Sequence, residues 1–115
     1  MKPFALPGHH EYDGQAFPLG IDVAAESLDE ACAWATGAAE LSRLAGEHGA
    51  VLVRGLPLAK PEEFDAVVSA LGYPNFSYAN SLSNAYRINH TPRVFSANEA
   101  PADVTIFLHH EMAQT

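Results

Sequence analysis

Basic residues are scarce in this 115-residue chain. Six Lys and Arg stand against fourteen Asp and Glu, giving a formal charge of −8. No basic stripe forms, so nucleic acid and anionic membrane are poor partners on charge alone. Cysteine is nearly missing as well: Cys32 stands alone, no internal disulfide is available, and a reducing, cytoplasmic setting is the simpler expectation. No apolar run approaches the roughly 18 residues of a membrane-spanning helix. The opening Met1-Lys2-Pro3-Phe4-Ala5-Leu6-Pro7 carries one positive charge and is broken by two prolines, which argues against a signal peptide. There are no internal repeats, charge blocks or low-complexity tracts, which excludes solenoids and tail-like segments. What remains is a chain with 48% hydrophobic residues, rich enough to fold and long enough for one domain. Nothing in the bulk numbers names a substrate or an oligomeric state.

The apolar pattern sets an order of elements. Residues 1–14, with their Pro, Gly and His, read as irregular, and His9-His10 as a polar terminus rather than a ligand pair. Leu19, Ile21 and Val23 alternate as in a short strand. Ser27-Leu28-Asp29-Glu30 reads as a capping box. The stripe Trp34, Ala38, Leu41, Leu44, Ala45 and His48 then predicts one helix stopping at Gly49. Cys32 on it reads as a small buried residue, and His48 as a structural imidazole at the negative helix end. Ala50-Val51-Leu52-Val53-Arg54 predicts a buried strand. Pro61, Glu62 and Glu63 open a second helix whose face is Phe64, Val67, Val68 and Leu71. Residues 73–103, with Tyr73, Tyr78 and Tyr86, read as a long loop. Segments this long and aperiodic inside a domain are usually functional or partly disordered. Val104-Thr105-Ile106-Phe107-Leu108 predicts a final strand running into His109-His110-Glu111.

His109-x-Glu111 is the chemical signal. In an extended chain, residues i and i+2 share a side, so an imidazole and a carboxylate can face one metal. Two histidines and one carboxylate on one face of Fe(II) make the facial triad of oxygen-activating enzymes. On spacing alone the pair also reads as a polar strand end in solvent. His110 is the spacer, because neighbouring strand residues face opposite sides. A helical di-iron arrangement is rejected, because it needs ligands on several long helices and the run before His109 is β-like.

The stretches Ser96-Ala97-Asn98-Glu99-Ala100-Pro101 and Phe107-Leu108-His109-His110-Glu111-Met112-Ala113-Gln114 resemble the clavaminate synthase-like branch of the TauD/TfdA (taurine dioxygenase-like) superfamily. Gly49-Ala50-Val51-Leu52-Val53-Arg54-Gly55 resembles that family's opening strand. The resemblance covers roughly residues 20–115. It implies an α+β fold: the N-terminal portion of a double-stranded β-helix (jelly-roll) dioxygenase with two flanking helices and an incomplete core. Residues 1–115 are then a single partial domain. It also implies His109 and Glu111 as Fe(II) ligands, with 2-oxoglutarate as co-substrate, O₂ as oxidant, and a small organic substrate that is oxidised with release of succinate and CO₂. The third ligand, a His, and the basic anchor of 2-oxoglutarate lie downstream in that family, so the chain is expected to be inactive by itself. Asn98 is a candidate pocket wall or a turn former. Arg87 and Arg93 are candidates to contact an acidic substrate or to brace the loop; His90 stays open between such roles. The alternative readings are a different metal enzyme on a β-barrel and a non-catalytic dioxygenase-like interaction module.

Overall fold

The computed structural model describes residues 2–76, 86–97 and 99–108. The chain divides into two compact units, Met1–Tyr73 and Pro74–Thr115. All regular elements described here lie in the first unit. They are β1 (Lys2–Phe4), β2 (His10–Tyr12), β3 (Gln15–Phe17), β4 (Leu19–Asp22), α1 (Leu28–Thr36), α2 (Leu41–His48), β5 (Val51–Arg54) and α3 (Pro61–Ala70). The result is a small mixed α/β unit with three helices and short strands. None of its helices is long and apolar enough to cross a membrane.

Three strands form a mixed sheet in the order β1-β4-β5. β1 runs antiparallel to β4, pairing Phe4 with Gly20 and Lys2 with Asp22. β4 runs parallel to β5, pairing Leu19 with Val51 and Ile21 with Val53. The parallel pair needs a crossover, and α1 and α2 supply it. Residues 1–14, read as irregular, thus contain β1 and β2. The β2–β3 hairpin turns at Asp13 (φ 53°) and Gly14 (φ 79°), an Asp-Gly pair with positive φ at both positions, as a two-residue hairpin loop requires.

The predicted start of α1 is observed. Ser27 is extended (φ −142°, ψ 161°), and its Oγ accepts the Glu30 N–H at 3.2 Å. The Glu30 carboxylate reaches back to the Glu26 N–H at 2.9 Å. The expected single long helix is corrected, because α1 ends at Thr36 and α2 begins at Leu41. Gly37 sits at the break. Its N–H bonds to Ala33 and Trp34 carbonyls, and glycine costs roughly 1 kcal/mol in a helix interior, so a break there is inexpensive. Three helices therefore replace the two expected. Gly49 (φ 75°) stops α2 as predicted, with the Phe17 ring 3.0 Å from where a Cβ would stand. His48 Nδ1–H donates to the Ala16 carbonyl at 2.8 Å, tying the end of α2 to β3. On the exposed side of α2, Arg43 pairs with Glu47 at 2.6 Å.

α3 starts at Pro61. The Glu63 carboxylate accepts the Ala59 N–H (2.7 Å) and the Lys60 N–H (3.0 Å). These two backbone hydrogen bonds hold its carboxyl below the ordinary range. α1 and α3 close on small side chains: Ala31 and Ala35 meet Val67, all three essentially buried. Leu28, Cys32, Trp34, Leu56, Leu58, Ala70 and Leu71 pack around them. β5 is not the buried strand expected. Leu52 is 36% exposed, and among the described residues β5 has a strand neighbour on one side only.

Candidate functional site

Two regions bear on function, one in each unit. In the second unit, residues 86–97 fold back on themselves. The Thr91 hydroxyl oxygen accepts the N–H groups of Arg93 (3.2 Å) and Val94 (3.0 Å), a side chain standing in for backbone in a turn. The N–H groups of His90 and Thr91 donate to the Val94 carbonyl, and Asn89 and Phe95 form an antiparallel bridge. The Ser96 N–H donates to the Ile88 carbonyl (2.9 Å), while Ser96 Oγ accepts the Ile88 N–H (2.9 Å). Beyond this, the Glu99 N–H donates to the Tyr86 carbonyl at 2.9 Å.

Arg87 lies half-buried in this segment, and its Nη1 donates to the Ser96 carbonyl at 3.3 Å. That contact braces the fold-back, one of the two roles foreseen for it. The Arg93 backbone forms part of the Thr91 turn, and its side chain is half-buried. His90 is exposed at the turn. The candidate ligands His109 and Glu111, the candidate pocket residue Asn98, and Tyr78 lie outside the described residues.

The expected strand Val104–Leu108 is corrected: these residues form no strand. The Val104 N–H closes a turn on the Pro101 carbonyl at 3.0 Å, and Phe107 is 80% exposed. A strand exists only through pairing, and no partner for this run is found among the described residues. Histidines elsewhere take structural contacts. His9 Nδ1–H donates to the Leu6 carbonyl at 2.7 Å, and His48 is bound to Ala16. Among the described residues, no three His, Cys, Asp or Glu side chains gather to hold a metal.

The region that the sequence reading missed lies in the first unit. A cleft of about 610 Å³ is lined by Trp34 of α1, Leu41 of α2, Val53–Leu56 at the end of β5, Leu58, and Phe64, Val67, Val68 and Leu71 along α3. Its size falls within the range of ligand pockets, and its lining is almost wholly apolar. Helical spacing marked these side chains as one apolar face. It carried no signal of whether anything covers that face, and Phe64 remains 48% exposed.

No protein-family profile matches the chain. Among curated proteins, it is 45% identical over 74 residues to a clavaminate synthase-like protein of Arabidopsis thaliana. The match covers 64% of this chain and 22% of that relative, so the chain spans about a fifth of the curated relative's length. The likeness points to the clavaminate synthase-like proteins.

Proposed function

We propose that the chain forms the N-terminal part of an Fe(II)- and 2-oxoglutarate-dependent oxygenase of the TauD/TfdA superfamily, clavaminate synthase-like branch. In this reading residues 1–115 are one partial jelly-roll domain of a cytoplasmic enzyme that oxidises a small organic substrate. The observation that carries the reading is the 45% identity over 74 residues to the clavaminate synthase-like protein. The donor set fits the metal. A neutral imidazole at His109 and a carboxylate at Glu111 are two of the three ligands of a facial triad, and their i, i+2 spacing suits one extended segment. When bound, iron and 2-oxoglutarate supply the oxidising power for C–H oxidation, with succinate and CO₂ as co-products. His109 and Glu111 act as ligands, not as acid and base. Asn98, Arg87 and Arg93 contribute to the substrate side, with Arg87 also holding the Ser96 carbonyl.

The test is anaerobic titration of the full-length protein with Fe(II) and 2-oxoglutarate, followed by the visible charge-transfer band of the chelate and by succinate release on admitting O₂. The band is expected in the native protein. His109→Ala and Glu111→Ala each weaken iron binding by more than about 100-fold, beyond what loss of a supporting residue does. A full-length protein with no band and no succinate overturns the oxygenase reading and leaves the non-catalytic interaction module.

A further inference from the structure

A smaller cavity, of about 200 Å³, lies where the β2–β3 hairpin meets the end of α2. Tyr12 and Phe17 of the hairpin line one side of it, and Glu47, His48 and Gly49 line another. The two rings stand 6.1 Å apart with their planes at 69°, so they form a corner rather than a flat stack. The Phe17 ring rests on the helix end, 3.0 Å from where a Cβ of Gly49 would stand. His48 Nδ1–H donates to the Ala16 carbonyl at 2.8 Å, which pins the hairpin to α2 and fixes the corner. Both rings stay open to solvent, Tyr12 at 61% exposure and Phe17 at 39%.

Three features of this corner favour positive charge. Aromatic faces are negative and attract cations. The carboxyl end of a helix is the negative pole of its dipole, and the cavity sits at that end of α2. Glu47 adds a carboxylate. Its two oxygens lie 2.6 and 2.7 Å from Arg43 Nη1, but Arg43 also faces Glu40 at 3.6 Å, so one guanidinium serves two carboxylates and the group stays net negative. We infer that the corner binds a small organic cation, a quaternary or methylated ammonium group. A metal ion needs several oxygen, nitrogen or sulfur donors, and among the described residues no three such side chains gather. Ring faces instead suit a cation wrapped in methyl groups. The cavity is smaller than the roughly 300–1,000 Å³ of drug-sized sites, so it takes a head group of a few carbons. The inference concerns the first unit alone and stands whether or not the protein is an oxygenase.

The experiment is titration of the full-length protein with choline, followed by amide chemical shifts at Tyr12, Gln15 and Gly49. The control is 3,3-dimethylbutan-1-ol, which has the shape of choline without its charge. Saturable shifts at these amides are expected with choline, with a dissociation constant in roughly the millimolar range, and the neutral alcohol should bind at least about fivefold more weakly. Tyr12→Leu, at an exposed position that tolerates the change, should weaken choline binding by about two- to fivefold, while Tyr12→Phe, which keeps the ring, restores it. Glu47→Gln should weaken it as well. A peptide carrying trimethyllysine, titrated in parallel, distinguishes the source of the cation: tighter binding than choline assigns it to a protein side chain, weaker binding to a free small molecule. Absence of saturable shifts with either cation overturns the inference. So does equal binding of the neutral alcohol, or unchanged binding in Tyr12→Leu, because the rings and the charge then play no part.

Discussion

Gly55→Ala is the sharpest perturbation of the strand that carries the family-like stretch Gly49–Gly55. Gly55 has φ +74°, and a Cβ there would collide with Asp22 Oδ1 and lie 2.7 Å from the Ala24 backbone nitrogen. These two atoms are themselves bonded, Ala24 N–H to Asp22 Oδ1 at 2.9 Å, so neither moves without breaking that contact. Gly72 isolates the conformational part. It has φ +77° with nothing within 4 Å of a built Cβ. Left-handed backbone costs a non-glycine residue about 1–2 kcal/mol, and Gly72→Ala should show that alone. Gly55→Ala adds the steric clash, worth about 1–3 kcal/mol for an overpacked site, for a total of about 2–5 kcal/mol. Urea unfolding of the two variants beside the parent measures both, with similar m-values as the check that the end states are unchanged. The thermal midpoint should fall by about 10 °C or more for Gly55→Ala. Equal costs for the two variants would refute the reasoning, because the Asp22–Ala24–Gly55 contact would then contribute nothing.

Ser27→Ala removes the acceptor of the Glu30 N–H and should cost about 1 kcal/mol in the same unfolding assay, while Ser27→Asp should cost much less. Glu63 titrates below its ordinary value of 4.5 because the Ala59 and Lys60 N–H groups hold the carboxylate. A depressed folded value means that its stabilisation is complete above pH 4.5 and is lost as pH falls through the lower folded value. Glu63→Gln should therefore shrink the acid-side loss of stability below pH 4.5 and leave the pH 6–8 plateau flat, as seen by urea midpoints across that range.

Local signals were the readable ones. Ser27 and Glu30 announce a helix start through chemistry confined to four residues, and Gly49 and Pro61 mark a stop and a start in the same way. Leu19–Asp22 shows by its alternation. The hairpin at Asp13-Gly14 was legible too, yet it lies between His10-Glu11-Tyr12 and Gln15-Ala16-Phe17, which have little apolar alternation to draw attention to strands. The break at Gly37 is a balance. One glycine in an otherwise continuous stripe is tolerated or not according to the packing of α1 on α3 and of α2 on the sheet, and no local pattern records that packing. At the candidate site, Arg87 was readable as a brace or a binder, and its 3.3 Å contact with Ser96 supplies the first. His109, Glu111 and Asn98 are legible only as residue types at a spacing.

Val51–Arg54 and Val104–Leu108 show why strands divide where helices do not. Both runs are β-branched and apolar, and both read as strands. The first forms, because β4 lies alongside it and donates to its carbonyls. The second does not, because a β-strand satisfies its backbone through another segment, and its own composition cannot substitute for that partner. Helices α1 and α3 satisfy their backbones internally, so local signals sufficed to foresee where each begins. The same asymmetry explains the cleft. Phe64, Val68 and Leu71 could be assigned to one face of α3 from sequence, but what covers a face is a non-local fact. Among the described residues no strand pairs with the far side of β5, and Phe64 on the rim of the cleft stays 48% exposed; neither fact is written in the local spacing that marks Val51–Arg54 as a strand and Phe64 as part of an apolar face.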